Sequence, residues 1–105
     1  MSLKSAHAFA KEIKTSVPPG GLDVLMLNAG IMAVPFKVTR DGYESQYQTC
    51  HLGHFLIVHE LMDLIKASKT RVVITSSSAH LFGSIDFDTL KPALGQVEYK
   101  TDKHA

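Results

Sequence analysis

The chain has 105 residues, enough for one small domain and too few for two. Apolar residues make up 45% of it and charged residues 20%, a balance typical of globular rather than disordered proteins. The formal net charge of +1 gives no electrostatic signature for nucleic acid or an anionic membrane. The single cysteine, Cys50, excludes an internal disulfide. Without a recognisable signal peptide or bilayer-spanning apolar run, the sequence predicts a cytoplasmic location.

The first predicted element is a helix from Ser2 to Ser16, with Ser2 or Ser5 as its N-cap. Its apolar residues form one stripe at the 3.6-residue period: Leu3, Ala6, Ala10, Ile13 and Val17. The helix is expected to stop at the Val-Pro-Pro-Gly-Gly segment 17–21, because proline disfavours a helical residue before it.

A first strand is predicted from Leu22 to Leu27, with Asp23 as its only charge. It leads into Asn28-Ala29-Gly30, whose small side chains would let a ligand or another backbone approach closely. A plain turn is the alternative, and the residues alone favour it, since Asn and Gly are common turn residues.

The segment from Ile31 to Val38 contains Pro35 and reads as a loop. Thr39 or Asp41 is the expected cap of a long helix from about Tyr43 to about Ala67. One stripe at helical spacing comprises Tyr43, Tyr47, Cys50, His54, Val58, Leu61 and Ile65. Further apolar residues widen this surface, so the helix is expected to be buried on more than one side, one of them against a possible partner subunit. Gly53 in mid-helix is interpreted as a site of close packing.

The stretch Arg71 to His80 begins as a continuous β-branched run and ends in hydroxyls. Such an unalternated run favours a strand covered on both faces, as in a parallel sheet. Because it follows a strand and a long helix, a parallel βαβ crossover is predicted. Ser76, Ser77 and Ser78 then fall where open α/β sheets bind ligands. The alternative is that they punctuate a loop or cap the next helix.

Metal and phosphate motifs are weak in this sequence. Cys50 and His54 share a helix face, and the segment His59 to Asp63 approaches a zinc-protease pattern but lacks its second histidine. We therefore predict no metal site.

The sequence also has no G-x-S-x-G elbow, no Walker pattern and no G-x-G-x-x-G. Nucleotide binding by this chain alone is poorly supported.

Three motifs in order carry a family resemblance. The segments Leu22–Gly30, Cys50–Phe55 and Arg71–His80 closely resemble the short-chain dehydrogenases/reductases, in the branch similar to retinol dehydrogenases and WW-domain oxidoreductases. The resemblance runs over nearly the whole chain. It implies an α/β fold, a fragment of a doubly wound parallel (Rossmann-like) sheet with the order helix–strand–long helix–strand. Residues 1–105 would be the central part of one such domain.

The resemblance also implies roles for particular residues. Asn28, Ala29 and Gly30 match the motif that steadies the central sheet beside the cofactor. Thr75 matches a position where the backbone nears the nicotinamide. Ser77 matches the catalytic serine, whose hydroxyl would hydrogen-bond the substrate oxygen during hydride transfer. The parent would be an NAD- or NADP-dependent oxidoreductase acting on a small alcohol or carbonyl compound.

Departures from the family pattern shape the expectation for this chain. The family's Gly-rich cofactor loop is missing from this sequence. We therefore expect the chain alone to bind no cofactor and to be inactive. Cys50 stands where the family has an asparagine. Tyr99 and Lys103 match the catalytic Tyr-x-x-x-Lys spacing, but we interpret the match as coincidental because the surrounding tail is polar. Two alternatives stay open: an inactive remnant that associates with family members, and a small independent domain that uses Tyr99 and Lys103. The isolated chain is expected to aggregate or dimerise through exposed strand edges.

Overall fold

The computed structural model describes residues 2–85 and residue 87, so Tyr99 and Lys103 lie outside the described residues. The helical elements are α1 (Leu3–Ser16), α2 (Ser45–Tyr47), a π-helical segment (Gln48–Leu52), α3 (Gly53–Glu60), α4 (Met62–Ser68) and a 3-10 helix (Ser78–Phe82). The strands are β1 (Val24–Leu27) and β2 (Arg71–Ile74). They pair in parallel, with Val24 opposite Arg71 and Leu27 opposite Ile74. The predicted α/β class with a parallel crossover is confirmed.

The start of α1 follows from two serines. The Ser2 side chain accepts a hydrogen bond from the Ser5 N–H (3.0 Å), and the Ser5 hydroxyl oxygen accepts one from the Ser2 N–H (3.2 Å). This reciprocal pair is a capping box and satisfies two backbone donors that the first turn leaves without partners. Val17, before Pro18, takes an extended conformation and ends the helix. The predicted helix and its N-cap at Ser2 are confirmed.

The predicted N-cap of the long helix is wrong, although its start lies within two residues of the predicted one. Helix α2 begins at Ser45, and its N-cap is Glu44, whose carboxylate accepts the N–H groups of Gln46 and Tyr47 at 2.8 Å each. The sequence reading favoured Thr39 or Asp41 because short polar residues precede a helical pattern there. A glutamate can satisfy the same two backbone donors when its extended backbone turns the carboxylate onto them.

Thr39 and Asp41 instead bind the buried side chain of Gln48. The Thr39 hydroxyl donates to Gln48 Oε1 (2.6 Å), and Gln48 Nε2 donates to Asp41 Oδ2 (2.9 Å). The same carboxylate oxygen accepts the backbone N–H of Leu3 (3.0 Å). This network ties the loop before α2 to the start of α1. Gln48 is fully buried, and these bonds offset the loss of its hydration.

The helical segment from 45 to 68 is not one uniform α-helix. Its second element is the π-helical segment, and Leu61, with φ −95° and ψ 5°, separates α3 from α4. Cys50 on the predicted buried stripe is exposed, whereas His54 and Leu61 on that stripe are buried. A strict 3.6-residue period does not hold within Gln48–Leu52, because a π-helix bonds residue i to residue i+5.

The core lies on one face of the sheet. It comprises Ala6 and Ala10 of α1, Leu25 and Leu27 of β1, and Ile57 and Leu61 from the α3 region. The other face of the sheet is open in the described part of the chain, where Val24 is 46% exposed and Met26 65% exposed. The expectation that β2 is covered on both faces is not met among these residues, because the packed helices lie on one side only.

Candidate functional site

The carboxyl ends of β1 and β2 bring two sequence-predicted residues together. Leu27 and Ile74 are register partners, so the next residues, Asn28 and Thr75, leave the sheet side by side. The Thr75 hydroxyl donates a hydrogen bond to Asn28 Oδ1 at 2.8 Å, and the Thr75 N–H donates to the Leu27 carbonyl at 3.1 Å. Both side chains are exposed, so their remaining hydrogen-bonding capacity faces solvent.

Ser77 lies two residues beyond Thr75 and caps the 3-10 helix. Its hydroxyl oxygen accepts a hydrogen bond from the Ala79 N–H at 3.1 Å. The capping alternative raised by the sequence therefore describes Ser77. It does not exclude the catalytic alternative, because a hydroxyl that accepts one bond keeps its own proton for donation to a ligand oxygen.

Cys50 borders the site from the π-helical segment. Its sulfur lies 3.4 Å from the Ile31 carbonyl oxygen and 3.5 Å from the Ile31 nitrogen. A Cβ on Gly30 would lie 3.6 Å from the same sulfur, an ordinary contact, so crowding does not require glycine at that position. The sequence placed Cys50 at a family asparagine position but gave no sign of its contact with Ile31, because the two residues lie 19 positions apart.

A dinucleotide fits these residues only in part. The polar groups of Asn28 and Thr75, together with the small side chain of Ala29, suit one flank of such a ligand at the ends of parallel strands. A pyrophosphate additionally needs a Gly-rich turn that opens a helix directly after a strand. Between residues 2 and 85 neither strand is followed by such a turn. The described residues therefore fit a flank of the cofactor and not its pyrophosphate.

The described residues contain no group of three or more His, Cys, Asp or Glu side chains that could hold a metal ion. In the segment that approaches the zinc-protease pattern, Glu60 lies 3.0 Å from Nδ1 of His7. No helix among the described residues is long and apolar enough to cross a membrane.

The geometry defines an α/β protein with polar side chains at the carboxyl ends of parallel strands. A family model described as short chain dehydrogenase matches residues 1–89. The chain is 42% identical over 99 residues to the WW domain-containing oxidoreductase of Danio rerio, covering 87% of this chain. It is 44% identical over 90 residues to human retinol dehydrogenase 14, covering 85% of this chain. The chain belongs to the short-chain dehydrogenase family, as its motifs predicted.

A solved structure supports the same fold. The crystal structure of an uncharacterised protein from Mycobacterium paratuberculosis matches with a TM-score of 0.70 at 42% identity, covering 86% of this chain. The present chain spans only part of these proteins: 24% of the Danio rerio relative, 26% of human retinol dehydrogenase 14 and 30% of the solved chain. The roles of Asn28, Ala29, Gly30, Thr75 and Ser77 stay predictions.

Proposed function

We propose that this chain supplies the substrate-facing serine and one cofactor flank of an NAD- or NADP-dependent oxidoreductase acting on an alcohol or carbonyl compound. The hydrogen bond from Thr75 to Asn28 carries the proposal, because it joins the two strand ends at which the family motifs lie. Ser77 follows at the same edge with a hydroxyl proton available for donation. Relatives named retinol dehydrogenase make a hydrophobic alcohol a reasonable first substrate to test.

The role of Ser77 follows from charge development on oxygen. When a hydride leaves an alcohol carbon or reaches a carbonyl carbon, negative charge grows on the attached oxygen. A hydroxyl held at the end of β2 can donate to that oxygen and stabilise the transition state. Its acceptor bond from Ala79 fixes the hydroxyl oxygen without consuming the proton.

A chimera tests this role. Residues 1–89 would replace the matching segment of human retinol dehydrogenase 14, and turnover of all-trans-retinol would be followed through reduced cofactor absorbance. We expect Ser77→Ala to lower kcat by a factor of about 100 or more, since removing one such donor typically costs this much. Ser76→Ala is the matched control and should leave kcat within about twofold. Equal turnover by both variants would exclude the proposed role.

The 105-residue chain alone is proposed to be inactive and not to bind the cofactor. It lacks, within the described residues, the turn that would hold a pyrophosphate. Calorimetry with NAD and with NADP should show no saturable heat up to about 1 mM, which corresponds to a binding free energy weaker than about −4 kcal/mol. Saturation near micromolar concentration would refute this and would point to a self-sufficient small enzyme.

The second candidate function is that of an inactive remnant that associates with family members. The exposed apolar side chains of the open sheet face, Val24 and Met26, favour it. Mixing the purified chain with human retinol dehydrogenase 14 and measuring mass by light scattering tests this candidate. A complex of defined stoichiometry supports it, whereas independent elution of the two proteins counts against it.

A further inference from the structure

Ser77 lies beyond the part of β2 that the sheet holds in place. Among the described residues, the last backbone bond between the two strand ends joins the Thr75 N–H to the Leu27 carbonyl, two residues before Ser77. Ser77 is exposed, with extended backbone angles of φ −144° and ψ 144°. The 3-10 helix that follows it has no buried residue. The orientation of Ser77 therefore depends on hydrogen bonds with its neighbours in sequence.

His80 supplies two of the bonds that hold Ser77. Its backbone N–H donates to the Ser77 carbonyl at 3.3 Å, and its Nδ1 atom lies 2.8 Å from the same carbonyl oxygen. A carbonyl oxygen can only accept a hydrogen bond, so Nδ1 carries a proton and donates it. A third bond runs from the Ala79 N–H to the Ser77 hydroxyl oxygen at 3.1 Å. The carbonyl and the hydroxyl of Ser77 are thus both held from residues 79 and 80.

The side chain of His80 makes the shorter of its two bonds to Ser77. The backbone separation of 3.3 Å lies beyond the usual range of N–H···O hydrogen bonds, about 2.7–3.2 Å, whereas the side-chain separation of 2.8 Å lies within that range. Backbone bonds in 3-10 helices also have poorer geometry than those in α-helices. The imidazole therefore contributes more than the backbone N–H to holding the Ser77 carbonyl.

We propose that His80 is a positioning residue for the reaction. By holding the Ser77 carbonyl, its Nδ1–H fixes the backbone from which the Ser77 hydroxyl projects at the end of β2. A donor that is held in place before the reaction stabilises charge developing on oxygen without first reorganising. His80 acts only through Ser77 and makes no contact of its own with the substrate, so this role rests on the function proposed for Ser77.

The bond from His80 does not depend on the charge of the ring. A neutral histidine with its proton on Nδ1 donates from that atom, and a protonated histidine donates from both ring nitrogens. The bond to Ser77 is therefore available in both states. A general base behaves differently, because only the neutral ring can take up a proton. This difference distinguishes a positioning role from an acid–base role of the same side chain.

The tautomer of His80 tests the bond itself. The full 105-residue chain is prepared with isotopically labelled histidine nitrogens, and the ring signals of His80 are identified by their loss in His80→Asn. At alkaline pH, where histidine is neutral, nuclear magnetic resonance should show a protonated Nδ1 and an unprotonated Nε2. A mixture of the two tautomers, as in a free imidazole, would mean that the bond does not form and would overturn the proposal.

Two variants of similar side-chain shape test the consequence for turnover in the chimera with human retinol dehydrogenase 14. An asparagine can donate from Nδ2 at the place of the histidine Nδ1, whereas a leucine has no donor. We expect His80→Leu to lower kcat about tenfold or more, because small displacements of reacting groups are costly, and His80→Asn to keep kcat within about threefold. KM should change little in either variant. Equal losses of kcat in both variants, or full turnover of both, would overturn the positioning role.

Ser77→Ala and the pH profile separate this role from the proposed function. If Ser77→Ala lowers kcat and His80→Leu does not, only the positioning role is wrong. If Ser77→Ala keeps full turnover, the function proposed for Ser77 is wrong, and the role of His80 is wrong with it even where the tautomer shows the bond. The ratio of kcat between His80→Asn and the unchanged chimera should stay constant from about pH 6 to about pH 9. A ratio that changes across this range would make His80 an acid–base group instead.

Discussion

The two ends of the parallel sheet are built differently. At the amino end, side chains from the turn between α4 and β2 hold the entry to β1. Ser68 Oγ accepts the N–H of Leu22 at 3.2 Å, and the Thr70 hydroxyl donates to the Leu22 carbonyl at 2.6 Å. At the carboxyl end, the bond between Thr75 and Asn28 joins two exposed side chains.

This difference predicts which end of the sheet contributes to stability and which end can bind a ligand. The amino-end bonds are partly buried, so water cannot easily replace a lost partner there. The carboxyl-end groups face solvent, where water can replace a lost partner but a ligand can also reach them. Substitutions at the amino end should therefore lower the free energy of unfolding. Substitutions at the carboxyl end should affect ligand binding and chemistry more than stability.

The largest expected effect is that of Gly21→Ala at the amino end. Gly21 has φ +87°, and a Cβ there would overlap the Ser68 side chain. The strain should lower the free energy of unfolding by about 1–3 kcal/mol, measured by urea unfolding at low protein concentration. Gly20→Ala is the matched control, because nothing lies within 4 Å of its Cβ position. Equal destabilisation by both variants would contradict the close packing at Gly21.

Thr70→Val tests the side-chain bond to the Leu22 carbonyl. The substitution keeps the shape and removes the donor, so we expect a loss of about 1–2 kcal/mol in the free energy of unfolding. Thr15→Val is the control, since its hydroxyl bonds the Glu12 carbonyl on an exposed helix surface. The control should change stability by less than about 0.5 kcal/mol. Similar losses of unfolding free energy in both variants would show that partial burial does not increase the contribution of the Thr70 hydrogen bond to stability.

The sequence predicted the elements whose signals are local. The apolar stripe of α1, its serine cap and the β-branched run of β2 each lie within a few residues, and each prediction is confirmed in its essentials. Their order also predicted the parallel pairing, which places Asn28 and Thr75 side by side at one edge. Parallel strands bring their carboxyl ends together whatever the intervening chain does.

The failed predictions involve residues whose partners are not local. Gln48 is buried because Thr39 and Asp41 fold back onto its amide, and that folding removes both from the capping position that their sequence favours. Cys50, in the π-helical segment, is exposed although it lies on the expected buried stripe. Periodicity assumes a uniform helix and does not reveal such a segment. The open face that carries Met26 was missed for a related reason, since composition does not tell which faces of a sheet are packed.

A smaller effect is expected at the bond between Thr75 and Asn28. Thr75→Val and Asn28→Ala should each lower the free energy of unfolding by about 0.5–1 kcal/mol, because water can solvate the remaining partner. The double variant should lose less than the sum, with a coupling energy of about 0.5 kcal/mol. Additive losses would mean that the two side chains do not interact in solution.

The smallest stability effect is expected for Ser77→Ala. The Ser77 hydroxyl caps a five-residue 3-10 helix, Ser78–Phe82, that has no buried residue. When the cap is removed, water can bond the Ala79 N–H, so the free energy of unfolding should change by less than about 0.5 kcal/mol. Ser77→Thr, which keeps a hydroxyl, serves as the control in the same unfolding experiment.

The chemical consequence of the same change should be large. In the chimera with human retinol dehydrogenase 14, Ser77→Ala is expected to reduce turnover strongly while stability stays nearly constant. Ser77→Thr should retain part of the turnover, because a hydroxyl remains at the same strand end. A loss of stability that parallels the loss of turnover would mean that Ser77 acts through the cap. Full turnover of Ser77→Ala would show that the Ser77 hydroxyl takes no part in the chemistry. The proposed division between a stabilising amino end and a reactive carboxyl end of the sheet would then be wrong.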